Sequence, residues 1–223
     1  ITAIVADSVA TRQALVVAIA NGRLIVRTEP ILMTDGRVHG VHLWTGDADA
    51  HPGPRPLPGA VVWDLTAGTA SDTRRALLNA GLDPRVEDTE GRSFAADIPV
   101  GDINHDESTV LALSINCRPG DTFCTTWNLT SHDGRPIRAS FVARAALEKA
   151  SDGTHHLISR AMNWSVPRLE SEERNSESLA NQILQGMAQD GIHRALVDLR
   201  NWYLLKWIDS PCPHVDWRCD SSE

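Results

Sequence analysis

The first apolar run of the chain, Ala14 to Ala20, is separated by Asn21-Gly22 from a second, Leu24 to Met33. Both runs are rich in β-branched residues, and Asn-Gly between two such runs predicts a tight hairpin. Asp35-Gly36 makes the next turn, and Val38, His39, Val41, His42, Leu43 and Trp44 mark a third strand. Ahead of these, Ala3 to Thr11 carries Ile4, Val5, Ser8 and Val9 at helical spacing. Residues 1–46 therefore read as one helix followed by three strands.

Pro52, Pro54, Pro56 and Pro58 occupy every second position before Gly59, which disfavours helix and central strand alike and marks 47–58 as a Pro-rich linker. Ala60 to Leu65 reads as a strand and Thr66 to Ala70 as a turn. Ser71 or Asp72 then caps a helix from Thr73 to Ala80, which Gly81 ends. Phe94 to Ile98 suits one helical turn. Asn104 or Asp106 caps an apolar helix through Val110, Leu111, Leu113 and Ile115, which Pro119-Gly120 stops. Asp121 to Ser131, Pro136 to Leu147 and Thr154 to Val166 follow as strands, with turns at Asp133-Gly134 and Asp152-Gly153.

Residues 105–166 thus repeat the element order of 1–46, which points to tandem modules. The stripe Leu179, Ile183, Leu184 and Met187 predicts a connector helix within 167–190. His193 to Arg200 echoes Gly59 to Leu65, and Tyr203 to Ile208 returns as its hairpin partner. On this reading 1–46 is the C-terminal part of one module and 59–166 is a complete module. Residues 191–223 are either the N-terminal hairpin of a further module or strands that complete a composite domain with 1–46.

Composition narrows the classes of partner. A chain of 223 residues with 42% apolar content buries a sizeable core, and its net charge of −8 repels phosphate backbones and anionic membranes. Nucleic acid and membrane insertion are not expected, since Ala14 to Ala20 is far too short to span a bilayer. The expected location is the cytoplasm. Cys117 and Cys124, like Cys212 and Cys219, are spaced too widely for a zinc-nucleating pair of roughly two to four intervening residues, so reduced cysteines are expected.

Candidate chemistry is sparse. His155 and His156, and equally His39 and His42, fall on opposite faces of a regular strand, so neither pair shares an ion easily, and no metal site is expected. Asn104-His-Asp-Glu107 and Glu170-Ser-Glu-Glu173 have acidic chemistry but lie where helix starts call for it. Phosphate-cradling, nucleophile-elbow and zincin motifs are missing, and no catalytic residue or cofactor is expected. Asn128 and Asn163 begin glycosylation triplets without a secretion signal to use them. Trp44, Trp164, Trp202, Trp207 and Trp217 fall at strand ends and in the last hairpin, which suits module boundaries or a homodimer contact.

A strand pair, short helices, a longer helix and a three-strand meander make the element order of a PAS domain, with GAF a close relative. Arg27-Thr-Glu-Pro30, Asp35 to Trp44, Ala161-Met-Asn-Trp164 and Arg194 to Arg200 together resemble the mycobacterial three-module PAS–GAF–PAS sensor-like proteins. The resemblance implies an α+β fold of PAS/GAF-like antiparallel sheets with flanking helices in tandem modules. It also implies a non-enzymatic sensor or regulatory role, without naming a ligand. In such modules a small molecule lies between meander and helices, nearest Trp63, Phe94, Leu111, Phe123, Trp127 and Phe141. The partner is then an unknown small molecule or protein. Two alternatives stand beside the sensor: a scaffold or interaction protein with a filled core, and an enzyme of unfamiliar type using His105, Asp106 or Glu107.

Overall fold

The computed structural model describes residues 1–98, 105–150, 152–168 and 191–218, apart from the side chains of 105–109 and 113. The connector helix, the cap at Asn104 and the acidic run at 170–173 lie outside the described residues, as does the side chain of Asp106. The chain is sheet-dominated, with antiparallel sheets and few helices. No helix among the described residues is long and apolar enough to cross a membrane.

Helix α1 (Thr2–Thr11) precedes a three-stranded sheet in the order β1 (Leu15–Ile19), β2 (Leu24–Leu32), β3 (Val38–Asp47). Asn21 falls in the first turn as expected, but the turn closes one residue early. Gly22 N–H donates to Ile19 O, and Ala20 and Asn21 both hold positive φ. The loop between the paired residues Ile19 and Leu24 is four residues long, and Gly22 holds positive φ as well. Strand β3 carries a bulge: Gly40 faces Ile31 and Val38 faces Leu32, which leaves His39 as the extra residue. The bulge overturns the expected opposition of His39 and His42. The His39 ring meets Ala161 O, and His42 lines a cleft with Met162 and Trp164, so both turn toward the middle sheet.

The middle unit holds a six-stranded antiparallel sheet in the order β6 (Arg92–Ser93), β5 (Thr69–Asp72), β4 (Gly59–Asp64), β9 (His155–Pro167), β8 (Pro136–Lys149), β7 (Thr122–Thr130). Two meanders, one from each end of the unit, join where β4 pairs with β9 from Gly59 opposite Asn163 to Asp64 opposite Ile158. Strand β5 occupies Thr69 to Asp72, where a turn and a helix cap were expected. The helix start is displaced with it: Thr73, not Ser71 or Asp72, caps α2 (Arg74–Asn79), accepting from Ala76 N–H at 3.2 Å. The expected single turn is a 3-10 turn over Phe94–Ala96, and α3 spans His105–Asn116.

Helix α2 presses on β4 so closely that a Cβ on Gly59 would lie 2.3 Å from Ala76 N. Asn79 and Asn163 fix its far end: Asn79 donates to Leu57 O at 2.9 Å and Asn163 to Ala76 O at 2.9 Å. Asn163 is buried by these bonds, which withdraws its glycosylation triplet from use.

Both faces of the middle sheet are covered. On the outer face Ile31 and Met33 pack against Ala60, Val62 and Met162, seating the N-terminal sheet on β4 and β9. On the inner face Val61, Trp63, Phe94, Val110, Trp127, Phe141 and Ala161 form the main core. The hairpin of β10 (Ala195–Asp198) and β11 (Tyr203–Trp207) joins that core through Leu205, and Tyr203 packs edge-on to Phe94 at 6.2 Å. Residues 191–218 therefore dock on the middle unit.

Candidate functional site

Among the described residues the interior of the middle unit and the seam where the N-terminal sheet meets it could each receive a ligand, and a polar cleft of about 330 Å3 lies apart from both, beside Arg75, His132 and Arg135.

The six residues expected nearest an interior ligand come together. Trp63, Phe94, Leu111, Trp127 and Phe141 are buried in the main core, and Phe123 packs against it. Phe141 is the hub, with ring centroids of Trp63, Phe123 and Trp127 at 5.4, 5.4 and 5.2 Å. The two edge-to-face pairs, with Trp63 and Trp127, each add about 0.5–1.5 kcal/mol beyond burial. The packing leaves a cavity of about 40 Å3 lined by Trp63, Trp127, Phe141, Asp72, Asp97 and Asn163 among others. That volume suits water-sized guests and falls far below the roughly 300–1,000 Å3 of metabolite pockets.

At one wall of this cavity lies a buried charge cluster. Arg92 donates through one nitrogen to Asp72 and to Asp97, and Trp63 Nε1–H donates to Asp97 at 2.7 Å. Burial, reinforced by Asp97 and opposed by Arg92, pushes the Asp72 carboxyl well above the usual carboxylate range. One guanidinium thus serves two carboxyl groups, of which the deeper is held toward its neutral form. The cluster was not foreseen, because its members stand in β5, β6 and the 3-10 turn and only strand pairing brings them together.

The seam is more open. Along β2 and β3 the cross-strand pairs run Ile31 with Gly40, Glu29 with His42 and Arg27 with Trp44, grading from apolar contact with the middle sheet to charge at the far end. The Pro-rich segment passes over them, and Arg55 reaches back to pair with Glu29. Two adjoining lobes result, sharing His42 and Arg55. The inner lobe, about 290 Å3, is walled by Ile31, Val41, Pro56, Pro58, Met162 and Trp164. The outer lobe, about 240 Å3, is walled by Leu15, Val16, Arg27, Thr28, Glu29, Trp44 and Pro52. Burial, and after it the Arg55 charge, hold His42 below its ordinary value, so the ring is neutral at pH 7.

A polar latch closes the other end of the seam. Glu148 accepts two hydrogen bonds from Arg160, from Nε and Nη2 each at 2.7 Å, and a third from Arg37 at 2.8 Å. Arg160 Nη1–H donates to His39 Nε2 at 3.0 Å, while His39 Nδ1–H donates to Ala161 O at 3.0 Å. Only a neutral ring with its proton on Nδ1 can do both.

Of the remaining candidates, His156 bonds Asp64 at 2.6 Å, and Asp64 also accepts from Thr66 and Ala67 N–H, as a turn-forming residue does. His155 is exposed. No group of three or more metal-ligating side chains is found among the described residues. The tryptophans do not form one cluster: Trp44 and Trp164 line the seam, Trp207 is buried near Trp217, and Trp202 stands 79% exposed at the tip of the last hairpin.

Three domain models of one family match the chain in sequence order. The Rv3651-like N-terminal model matches residues 1–54, the Rv3651-like middle-domain model 57–166 and the Rv3651-like C-terminal-domain model 177–223. The chain belongs to the Rv3651-like family. The boundary between the Rv3651-like N-terminal and middle domains falls in the proline segment that roofs the seam. The crystal structure of an uncharacterised protein from Mycobacterium tuberculosis is 48% identical over 97% of this chain, with a TM-score of 0.88. This chain spans 65% of the length of that protein. A sensory box histidine kinase/response regulator from Burkholderia thailandensis aligns at 15% identity over 52% of this chain and 79% of its own, with a TM-score of 0.30, too low to define a shared fold. No curated protein matches the sequence.

Proposed function

We propose that this Rv3651-like chain is a non-enzymatic regulatory protein, built like PAS and GAF sensor modules, that takes its signal at the seam between its N-terminal and middle units. It would act in the cytoplasm, where the free thiols Cys117, Cys124 and Cys212 stay reduced. The observation that carries the reading is a contrast of volumes: the interior of the middle unit keeps about 40 Å3, whereas the inner lobe of the seam alone keeps about 290 Å3. The middle unit supports the PAS/GAF-like build through its order of strand pair, short helices, longer helix and meander. A guest in the seam would touch β2, β3 and β9 at once, so its binding is coupled to how the two sheets sit together.

A second reading has its own observation. Trp202 and Leu199 stand 79% and 70% exposed at the tip of the C-terminal hairpin, and an exposed tryptophan beside Arg200 suits a protein contact. A filled-core interaction protein would use that tip and leave the seam empty. Native mass spectrometry of the chain purified from its own host, set against the denatured mass, separates the two. The sensor reading expects extra mass that leaves on denaturation. A bare mass, with no binding to the seam in titration, overturns it in favour of the hairpin tip.

A further inference from the structure

Arg27 is the feature of the seam that packing alone does not explain. It is half-buried, its Nε is enclosed without a hydrogen-bond partner, and its guanidinium lies 5.7 Å from the Trp44 ring centroid. Among the described residues it has no carboxylate partner. A guanidinium taken partly out of water and left without a counter-ion is a cost that a bound anion would relieve. Arg55, the second cation, is balanced by Glu29 at the mouth, so the seam carries one positive charge in excess. An excess of one suits a monoanion, not a phosphate dianion. Arginine with its planar fork of donors is the side chain best shaped to take a carboxylate.

The inner lobe sets the rest of the ligand. Its walls are aliphatic, proline, thioether and indole, with His42 and Arg55 only at the border with the outer lobe. A Cβ on Gly40 would lie 2.3 Å from Met162 Sδ, so the thioether reaches to the floor of the N-terminal sheet and closes that end. Methionine there is a flexible wall able to fit a chain or a ring. We propose that the seam binds a small amphipathic monocarboxylate, its head at Arg27 in the outer lobe and its apolar tail against Met162 and Trp164 in the inner lobe. This rests on the seam being the place where the signal is read, and adds the chemical class of the ligand and the orientation in which it lies.

The test is isothermal titration of the full chain with sodium octanoate and, as its uncharged counterpart, 1-octanol. Octanoate binds at least tenfold more tightly than octanol to the unaltered chain. Arg27→Met brings octanoate down to the level of octanol and leaves octanol unchanged. Val41→Phe, which narrows the inner lobe and keeps the cation, weakens both. Equal binding of the two probes, octanoate affinity that survives Arg27→Met, or no binding of either would overturn the proposal. Failure of the broader reading has a different signature. A neutral guest retained in the native mass of host-purified protein, and weakened by Val41→Phe but not by Arg27→Met, would refute the carboxylate class yet keep the seam as the site. A bare mass together with silent titrations would remove both.

Discussion

Arg92 shows how much can depend on one buried side chain. It is 3% exposed and serves two carboxyl groups beside Trp63, so its removal leaves both acids without their cation. Arg92→Met is expected to cost about 3–5 kcal/mol in urea denaturation at pH 7. Asp72→Asn should differ from the parent by only ~1 kcal/mol, because the amide copies the neutral form that burial already favours. At this scale the sequence is legible for apolar residues and opaque for polar ones. Trp63, Phe94, Trp127 and Phe141 announce a core by their type. Asp72, Arg92 and Asp97 look like loop residues, because nothing local marks an Asp or Arg whose partner is set by strand pairing.

Elements joined by glycine turns were readable from alternation: β1 to β3, the meander β7 to β9 and the last hairpin all stand where the pattern puts them. What escaped were features set by a neighbouring element. Thr69 to Asp72 is too polar to alternate clearly and becomes a strand because β4 pairs with it. The bulge at His39 has no sequence mark, yet it turns that ring onto β9. The seam itself was illegible, since Arg27, His42, Arg55 and Met162 come from four separate segments. His39 makes the seating of β2 and β3 sensitive to pH. Burial lowers its pKa below the ordinary 6.5, so the unfolded chain takes up its proton first as pH falls. The stability it lends is complete above about pH 6.5 and is lost as pH drops toward the folded value. Protonation also ends its acceptance from Arg160. The protection of β2 and β3 against hydrogen exchange, taken relative to the intrinsic rate at each pH, should therefore fall between pH 7 and 5.5, and a His39→Gln variant should lose most of that pH dependence.

Across the whole molecule the units are held by packing on both faces of one sheet. The C-terminal hairpin depends on Gly68, whose φ of +74° and whose approach to the Tyr203 ring leave no room for a side chain: a Cβ there would lie 2.2 Å from Tyr203 Cγ. Gly68→Ala should unseat the hairpin while sparing the N-terminal sheet. Limited proteolysis would show it as new cleavage within 191–218 before any loss at residues 15–47. The pairing of Gly59 with Asn163 also bears on how the protein is made. At roughly 5–20 residues per second, β4 leaves the ribosome on the order of ten seconds before β9 exists to pair with it. The N-terminal sheet is complete by then, built from neighbouring hairpins alone, and its Ile31 and Met33 are ready to cover Ala60 and Val62. The segment translated just ahead of β4 thus shelters the nascent strand that the last part of the middle unit will claim.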